Sequence, residues 1–314
     1  MTATTHAVGS LQVSPLCLGG NVFGWTADEP TSFAVLDAYA AAGGNFVDTA
    51  DVYSAWVEGN AGGESETIIG RWLARRGRRD DIVIATKAGG HPDAKGLAPD
   101  TIRRAADASL RRLGVDRIDL FYTHFDDESV PVEEIVTTLD ELVTAGKVRE
   151  IAASNIAPER LARSLEFSER EGLARYVAIQ PHYNLVSRAT YEGELAELAA
   201  SQGLAALPYY ALASGFLTGK YRPGAEVDSQ RAGGAARYLD TAQGPRVLAA
   251  LLGIAEDRSI EPASVALAWL AGRPTVAAPI ASARTVEQLA PLLAGARLRL
   301  TEAETKLLDE ASTV

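Results

Sequence analysis

The chain carries one cysteine, Cys17, in 314 residues, so an intrachain disulfide is excluded and a reducing, cytoplasmic setting is the expectation. Histidine is almost as scarce. His6, His91, His124 and His182 are widely scattered, and neither His-Glu-x-x-His nor Cys-x-x-Cys occurs. A metal-dependent barrel hydrolase needs a His/Asp cluster, so no metal site is expected. No two glycines are separated by a single residue, which removes the Gly-x-Gly-x-x-Gly fingerprint of open-sheet dinucleotide folds. Positive charge is in deficit: the formal net charge is -11, which argues against a nucleic-acid or anionic-membrane partner. The cluster Arg75-Arg76-Gly77-Arg78-Arg79 reads as a solvated helix end whose cations suit the helix dipole. No uncharged apolar run approaches the roughly 18–20 residues of a membrane helix. The opening Met-Thr-Ala-Thr-Thr-His lacks the basic and then apolar segments of a secretory leader.

What is present is the balance of a globular protein, 47% apolar and 23% charged. One pattern recurs: an amphipathic helix, a glycine, then a short apolar run. Helical segments end before Gly43, Gly114, Gly146, Gly172 and Gly203, each placed to close a helix in the left-handed conformation. The runs are Leu16–Leu18, 45–48, 82–85, 118–122, 148–153, 176–179, 204–207 and 276–280. Short, mostly unalternating runs fit strands buried on both faces. Eight of them alternating with helices predict one (β/α)8 barrel over residues 1–314 rather than a six-stranded open sheet. Val8 to Val13, around Gly9-Ser10, reads as a hairpin before the first barrel strand. After the seventh strand, Tyr209 to Gly244 lacks a sustained helical period and reads as a long functional loop. Residues 246–258 and 262–271 then read as two helices, one of them an insertion.

Polar residues stand at the C-terminal ends of these runs: Asp48, Lys87, His124, Ser154-Asn155, Gln180, Tyr209, Ser282 and Arg284. In a (β/α)8 barrel such positions converge on the face that carries active sites. Singly, each has a plain reading: the Asp as a turn former, the Tyr as core, the Lys as a solvated end. Together they suit one chemistry. A tyrosine is a poor acid at neutral pH, but a nearby ammonium stabilises its phenolate and a carboxylate anchors the ammonium. Asp48, Tyr53 and Lys87 form that unit, and His124 is placed to orient a carbonyl oxygen or relay a proton. Trp25 and Trp56 follow strand ends and are candidates for a substrate pocket; Trp72 and Trp269 sit on apolar helical stripes. His182 reads as structural and His91 as a surface-loop residue.

At this point the sequence resembles the aldo-keto reductase superfamily over nearly its whole length. The resemblance lies in Phe46-Val-Asp48-Thr-Ala-Asp-Val-Tyr53, Ala85-Thr-Lys87 and Asp119-Leu-Phe-Tyr-Thr-His124. It implies catalytic roles for Asp48, Tyr53, Lys87 and His124 in reducing an aldehyde or ketone, a small-molecule partner, with NADPH. It also implies that Ser154, Asn155 and Gln180 hold the nicotinamide carboxamide and that Tyr209 stacks on the ring. The loop carrying Leu212, Ser214, Leu217 and Lys220 would cross the pyrophosphate. Ile280, Ser282, Arg284 and Gln288 resemble the segment for the adenosine 2′-phosphate and adenine. A guanidinium beside a hydroxyl suits a phosphate and favours NADP over NAD. Three departures stand out: Tyr210-Ala211-Leu212 where Ser-Pro-Leu is frequent, Pro291-Leu292 where Glu-Asn is, and His124-Phe-Asp-Asp127 in place of His-Arg-Pro-Asp. Two other functions fit the same motifs: a cofactor-bound redox-sensing regulatory module, and an alcohol or sugar dehydrogenase running the reaction in reverse.

Overall fold

The computed structural model describes residues 5–222, 227 and 232–313; Met1 to Thr4, on which most of the leader reading rests, lie outside them. A hairpin comes first, β1 (His6–Val8) against β2 (Leu11–Val13), turned at Gly9 with φ 56°. Eight parallel strands follow: β3 (Cys17–Gly19), β4 (Phe46–Asp48), β5 (Val83–Ala88), β6 (Ile118–Thr123), β7 (Val148–Ser154), β8 (Tyr176–Gln180), β9 (Ala205–Ala206) and β10 (Ile280–Ala281). The sheet order is β10-β3-β4-β5-β6-β7-β8-β9, and its two ends meet. The Ala277 amide donates to the Ala206 carbonyl at 3.0 Å, and the Ile280 amide to the Pro208 carbonyl at 2.9 Å. The architecture is therefore a (β/α)8 barrel with an N-terminal hairpin.

The helices connecting β3 to β9 are α1 (Glu29–Ala41), α2 (Glu64–Arg76), α3 (Pro99–Leu113), α4 (Val132–Thr144), α5 (Pro158–Glu171) and α6 (Glu194–Ser201). Between β9 and β10 come α7 (Ala232–Ala236), α8 (Gly244–Arg258) and α9 (Pro262–Ala271); α10 (Val286–Arg297) and α11 (Glu302–Ala311) close the chain. All five expected glycine caps take the left-handed conformation, with φ between 64° and 84°. Helix α8 packs on α9 and α11.

The structure differs from expectation where pairing is scant. The runs 204–207 and 276–280 yield two-residue strands, because Pro208 and Pro279 lack the amide hydrogen a longer ladder requires. The long segment after β9 is broken into 3-10 turns at Ala213–Thr218 and Arg237–Asp240, with α7 before the second; its residues 223–226 and 228–231 lie outside the described residues. The arginines after Trp72 are ion-paired rather than merely solvated, Arg76 to Asp81 at 2.8 Å and Arg79 to Asp119 at 2.8 Å.

Strand periodicity positions the site. Residues two apart share a face, so Phe46, Ala85, Ala152 and Ala178 in the apolar interior imply that Asp48, Lys87, Ser154 and Gln180 also point inward, one layer higher. The hairpin fills the other end with Val8, Leu11 and Val13. A second, larger apolar layer lies between strands and helices and contains Trp72 and Trp269, whose indole N–H groups donate to Asp37 and Asp309. Among the described residues, no helix is long and apolar enough to cross a membrane.

Candidate active site

Above the apolar layer a cavity of about 720 Å³ opens at the C-terminal ends of the strands. Lys87 stands behind its floor, fully buried, and all three ammonium protons are engaged. They go to the Asp48 carboxylate at 2.6 Å, the Thr49 carbonyl at 2.8 Å and the Tyr53 hydroxyl at 2.8 Å. Tyr53 thus accepts from Lys87, and its contact with Asp48 is a long 3.5 Å. Burial pushes the Lys87 ammonium toward neutrality, but Asp48 and Tyr53 outweigh it and raise its pKa to about 12. Burial likewise raises the Tyr53 phenol to about 12, against the opposing pull of Lys87. At neutral pH the site therefore holds an ammonium and an intact phenol.

His124 follows β6, its amide bonded to the Ala88 carbonyl at 2.9 Å. Burial first, and the Lys87 charge second, hold its pKa well below the usual histidine value. The imidazole is neutral at pH 7. Its Nδ1 is buried without a hydrogen-bond partner among the described residues.

Across the mouth, a chain of polar contacts joins the ends of β7, β8 and β9. Ser154 Oγ donates to the Gln180 carbonyl at 2.8 Å, Asn155 Nδ2 to the His124 carbonyl at 2.8 Å, and the Tyr209 hydroxyl to Asn155 Oδ1 at 2.9 Å. Gln180 Nε2 donates to Asp48 Oδ1 at 2.9 Å, so this half of the mouth is tied to the lysine's carboxylate. That link was invisible in the sequence, as was Asn21, which accepts from Ser282 Oγ at 2.5 Å. Gly19-Gly20 at the end of β3 was the only sign that the chain passes close there: a Cβ at Gly19 would lie 2.6 Å from Ser282 Oγ.

Leu212, Ser214, Lys220, Ile280, Ser282, Arg284 and Gln288 line the same cavity, together with Pro291 and Leu292. Leu217 is fully buried in the core and is not on the wall, because the 3-10 turn that carries it points it inward. Gln288 accepts from the Arg284 amide at 3.0 Å. The side chains of Lys220 and Arg284 make no ion pair among the described residues. Five of the seven described non-glycine residues with positive φ, Ser54, Asn155, Tyr210, Ala213 and Ser214, lie in the segments that build this mouth. Trp56 lines the cavity; Trp25 packs edge-on against it at 5.6 Å. His182 stacks on Tyr209, and His91 caps a 3-10 turn through Nδ1.

Behind the site lies a second buried polar group. Glu66 accepts from Thr86 Oγ1 at 2.5 Å and from Arg112 Nε at 2.6 Å. Asp51, between Asp48 and Tyr53, lies nearby; burial, then the Glu66 charge, raises its carboxyl to about 7, while Arg112 and the amides of Gly89 and His91 pull the other way.

The aldo/keto reductase family model matches residues 15–313, and the chain belongs to that family. Protein tas of Escherichia coli is 34% identical over 93% of this chain and 92% of its own length. The uncharacterized oxidoreductase YrpG of Bacillus subtilis is 34% identical over 96% and 92%. Norsolorinic acid reductase stcV of Emericella nidulans is 33% identical over 96% and 79%. The protein is thus an oxidoreductase of a family that acts on small-molecule carbonyl compounds and generally uses NAD(P)H.

Proposed function

We propose that the protein is an NADPH-dependent carbonyl reductase in which Tyr53 is the general acid, assisted by Lys87, Asp48 and His124. The observation that carries the reading is the Lys87 ammonium donating to the Tyr53 hydroxyl at 2.8 Å while held by Asp48 at 2.6 Å. When bound, the reduced nicotinamide supplies the hydride. His124 orients the carbonyl oxygen, and Tyr53 protonates that oxygen as charge develops on it, leaving an alcohol. The fixed ammonium stabilises the resulting phenolate, which then regains a proton from water. Asp48 holds Lys87 in position and keeps it charged.

The donor set on the other half of the mouth fits a phosphorylated dinucleotide. Ser154, Asn155 and Gln180 offer amide and hydroxyl partners for a carboxamide, and Tyr209 offers a ring face. Leu212, Ser214 and Lys220 would lie along the pyrophosphate, where the Lys220 ammonium suits its charge. Ser282 and Arg284 would take a 2′-phosphate and Gln288 the adenine, with Ile280 beneath. Pro291 and Leu292 put an apolar wall at that end.

The test is NADPH oxidation by the purified protein with a panel of aldehydes and ketones, repeated with NADH and with Tyr53→Phe. Turnover should prefer NADPH and fall at least about a thousandfold in Tyr53→Phe, with nucleotide affinity within a few-fold. Full turnover in that variant rules out Tyr53 as the acid. Arg284→Ala should weaken NADPH much more than NADH, and equal weakening of both would remove the 2′-phosphate assignment.

A further inference from the structure

The turn after β6 carries His124-Phe-Asp-Asp127 where His-Arg-Pro-Asp is frequent, and the residue that replaces the proline is a tie point. A proline has no amide hydrogen to donate. The Asp126 amide donates to the Asn155 carbonyl at 3.2 Å, and Asn155 Nδ2 returns a bond to the His124 carbonyl at 2.8 Å. The turns that follow β6 and β7 are thus joined in both directions.

The Asp126 carboxylate makes a further contact. Its Oδ2 lies 2.6 Å from Arg160 Nε, and the two side chains are only 12% and 15% exposed. Arg160 is the third residue of α5, a position where a cation opposes the helix dipole. What the guanidinium reaches accounts for the placement. Besides Asp126, its Nη2 donates to the carbonyls of Asp127 and Val130, at 3.1 Å each. One side chain on α5 therefore grips the whole β6–α4 turn. Asp127 ties the other side of that turn, accepting from the Leu97 amide at 2.9 Å.

These bonds fix the backbone of His124. Its amide donates to the Ala88 carbonyl on β5 and its carbonyl accepts from Asn155, so both neighbours set the direction of its Cα–Cβ bond. Asn155 also accepts from the Tyr209 hydroxyl at 2.9 Å. The group that orients the carbonyl oxygen and the groups that hold the nicotinamide thus share one anchor. That anchor stands outside the cavity, since neither Asp126 nor Arg160 is on its wall.

We propose that Asp126 and Arg160 are positioning residues that lock the turns after β6 and β7 together, and so fix His124 and Asn155 relative to each other. The functional part of the inference rests on the roles given above to His124 and Asn155. An enclosed ion pair adds little net stability over apolar packing of equal volume, so its use here is directional. A guanidinium has its donors in a rigid plane, and it selects one arrangement of the carboxylate and carbonyls around it.

The experiment compares wild type, Arg160→Met and the double variant D126N/R160M, which leaves no unpaired charge behind. Protein with nitrogen-labelled histidine gives imidazole signals for four residues only. His6, on the hairpin at the far end of the barrel, and His91, which caps its own 3-10 turn, are the references. In both variants the His124 signals should shift while those of His6 and His91 stay. NADP⁺ should bind at least about fivefold more weakly, because a small misplacement of its partners is felt at the nicotinamide. Adenosine 2′,5′-bisphosphate, which has no nicotinamide, should bind within about twofold of wild type. Unchanged His124 signals in the double variant overturn the proposal whatever happens to the melting temperature, because a purely structural pair would alter stability alone. Equal weakening of both nucleotides overturns it as well, since that reports general loosening. If neither nucleotide binds the wild-type protein, the cofactor reading falls and the His124 signals alone decide the lock.

Discussion

At the scale of single residues, buried charge decides what this protein can do. Lys87 is fully enclosed, and a lone ammonium there would shed its proton; Asp48 at 2.6 Å reverses that balance. Substituting Lys87→Met should therefore slow reduction by two orders of magnitude or more, with nucleotide affinity little changed, since Lys87 is not on the cavity wall. Steady-state rates beside fluorescence titration of NADPH check this, and a variant within tenfold of wild type would displace Lys87 from the chemistry. Asp51 works in the opposite direction. Its folded-state value near 7, against an ordinary 3.8, means that between those pH values the folded chain keeps a proton that the unfolded chain has lost. Its ionisation thus costs nothing at low pH, weakens the fold progressively as pH rises from about 4 to about 7, and stays unfavourable above that. A shift of this size corresponds to about 4 kcal/mol. Asp51→Asn should accordingly stabilise the protein at pH 8 and change little at pH 4. Parallel denaturation curves for wild type and variant across that range would refute the assignment.

At the scale of elements, contacts between backbones set the tolerances. A Cβ at Gly70 on α2 would lie 2.4 Å from the Arg112 carbonyl oxygen and 2.7 Å from that of Leu113, at the end of α3. Backbone cannot rotate aside as a side chain does. Gly70→Ala should cost about 2–3 kcal/mol despite alanine's better helix propensity, and an unchanged denaturation midpoint would contradict the packing. The same contrast between local and non-local determinants explains what could be read in the sequence. Gly43, Gly114, Gly146, Gly172 and Gly203 were legible as caps because the left-handed conformation is a property of one residue and its helix. The polar strand ends were legible because a period of two carries Phe46 to Asp48 and Ala85 to Lys87 on one face. Strand lengths at β9 and β10 were not, since a strand exists only through its partner. Asn21 bonded to Ser282 and Gln180 bonded to Asp48 join residues far apart in the chain, and no local pattern announces either. Leu217 sits in a 3-10 turn with non-helical angles at Ser214 and Gly215, so its direction followed from a kink that residue types alone do not specify.

At the scale of the whole molecule, the barrel separates stability from chemistry along its axis. Polar side chains gather at the C-terminal mouth, an apolar layer fills the middle, and the hairpin closes the far end with Val8, Leu11 and Val13, all nearly without solvent contact. Because the hairpin precedes β3 and pairs only within itself, apolar packing rather than sheet hydrogen bonds holds most of it in place. Side chains add to this: the Ser10 amide donates to Glu150 at 2.8 Å, Arg149 donates to Ser10 and Asn45 to the Gln12 carbonyl at 2.9 Å. Leu11→Ala should leave a void under the barrel and cost about 2–4 kcal/mol. Leu11 itself is not on the cavity wall, so NADPH affinity and kcat measured well below the melting temperature should stay within twofold of wild type. Urea denaturation paired with kinetics at 20 °C separates the two quantities. A stability loss with unchanged kinetics means that the hairpin acts as a plug and the mouth is mechanically independent of it. A proportionate fall in kcat would instead mean that the apolar layer transmits packing at the base to the position of Lys87, and the division along the axis would have to be abandoned.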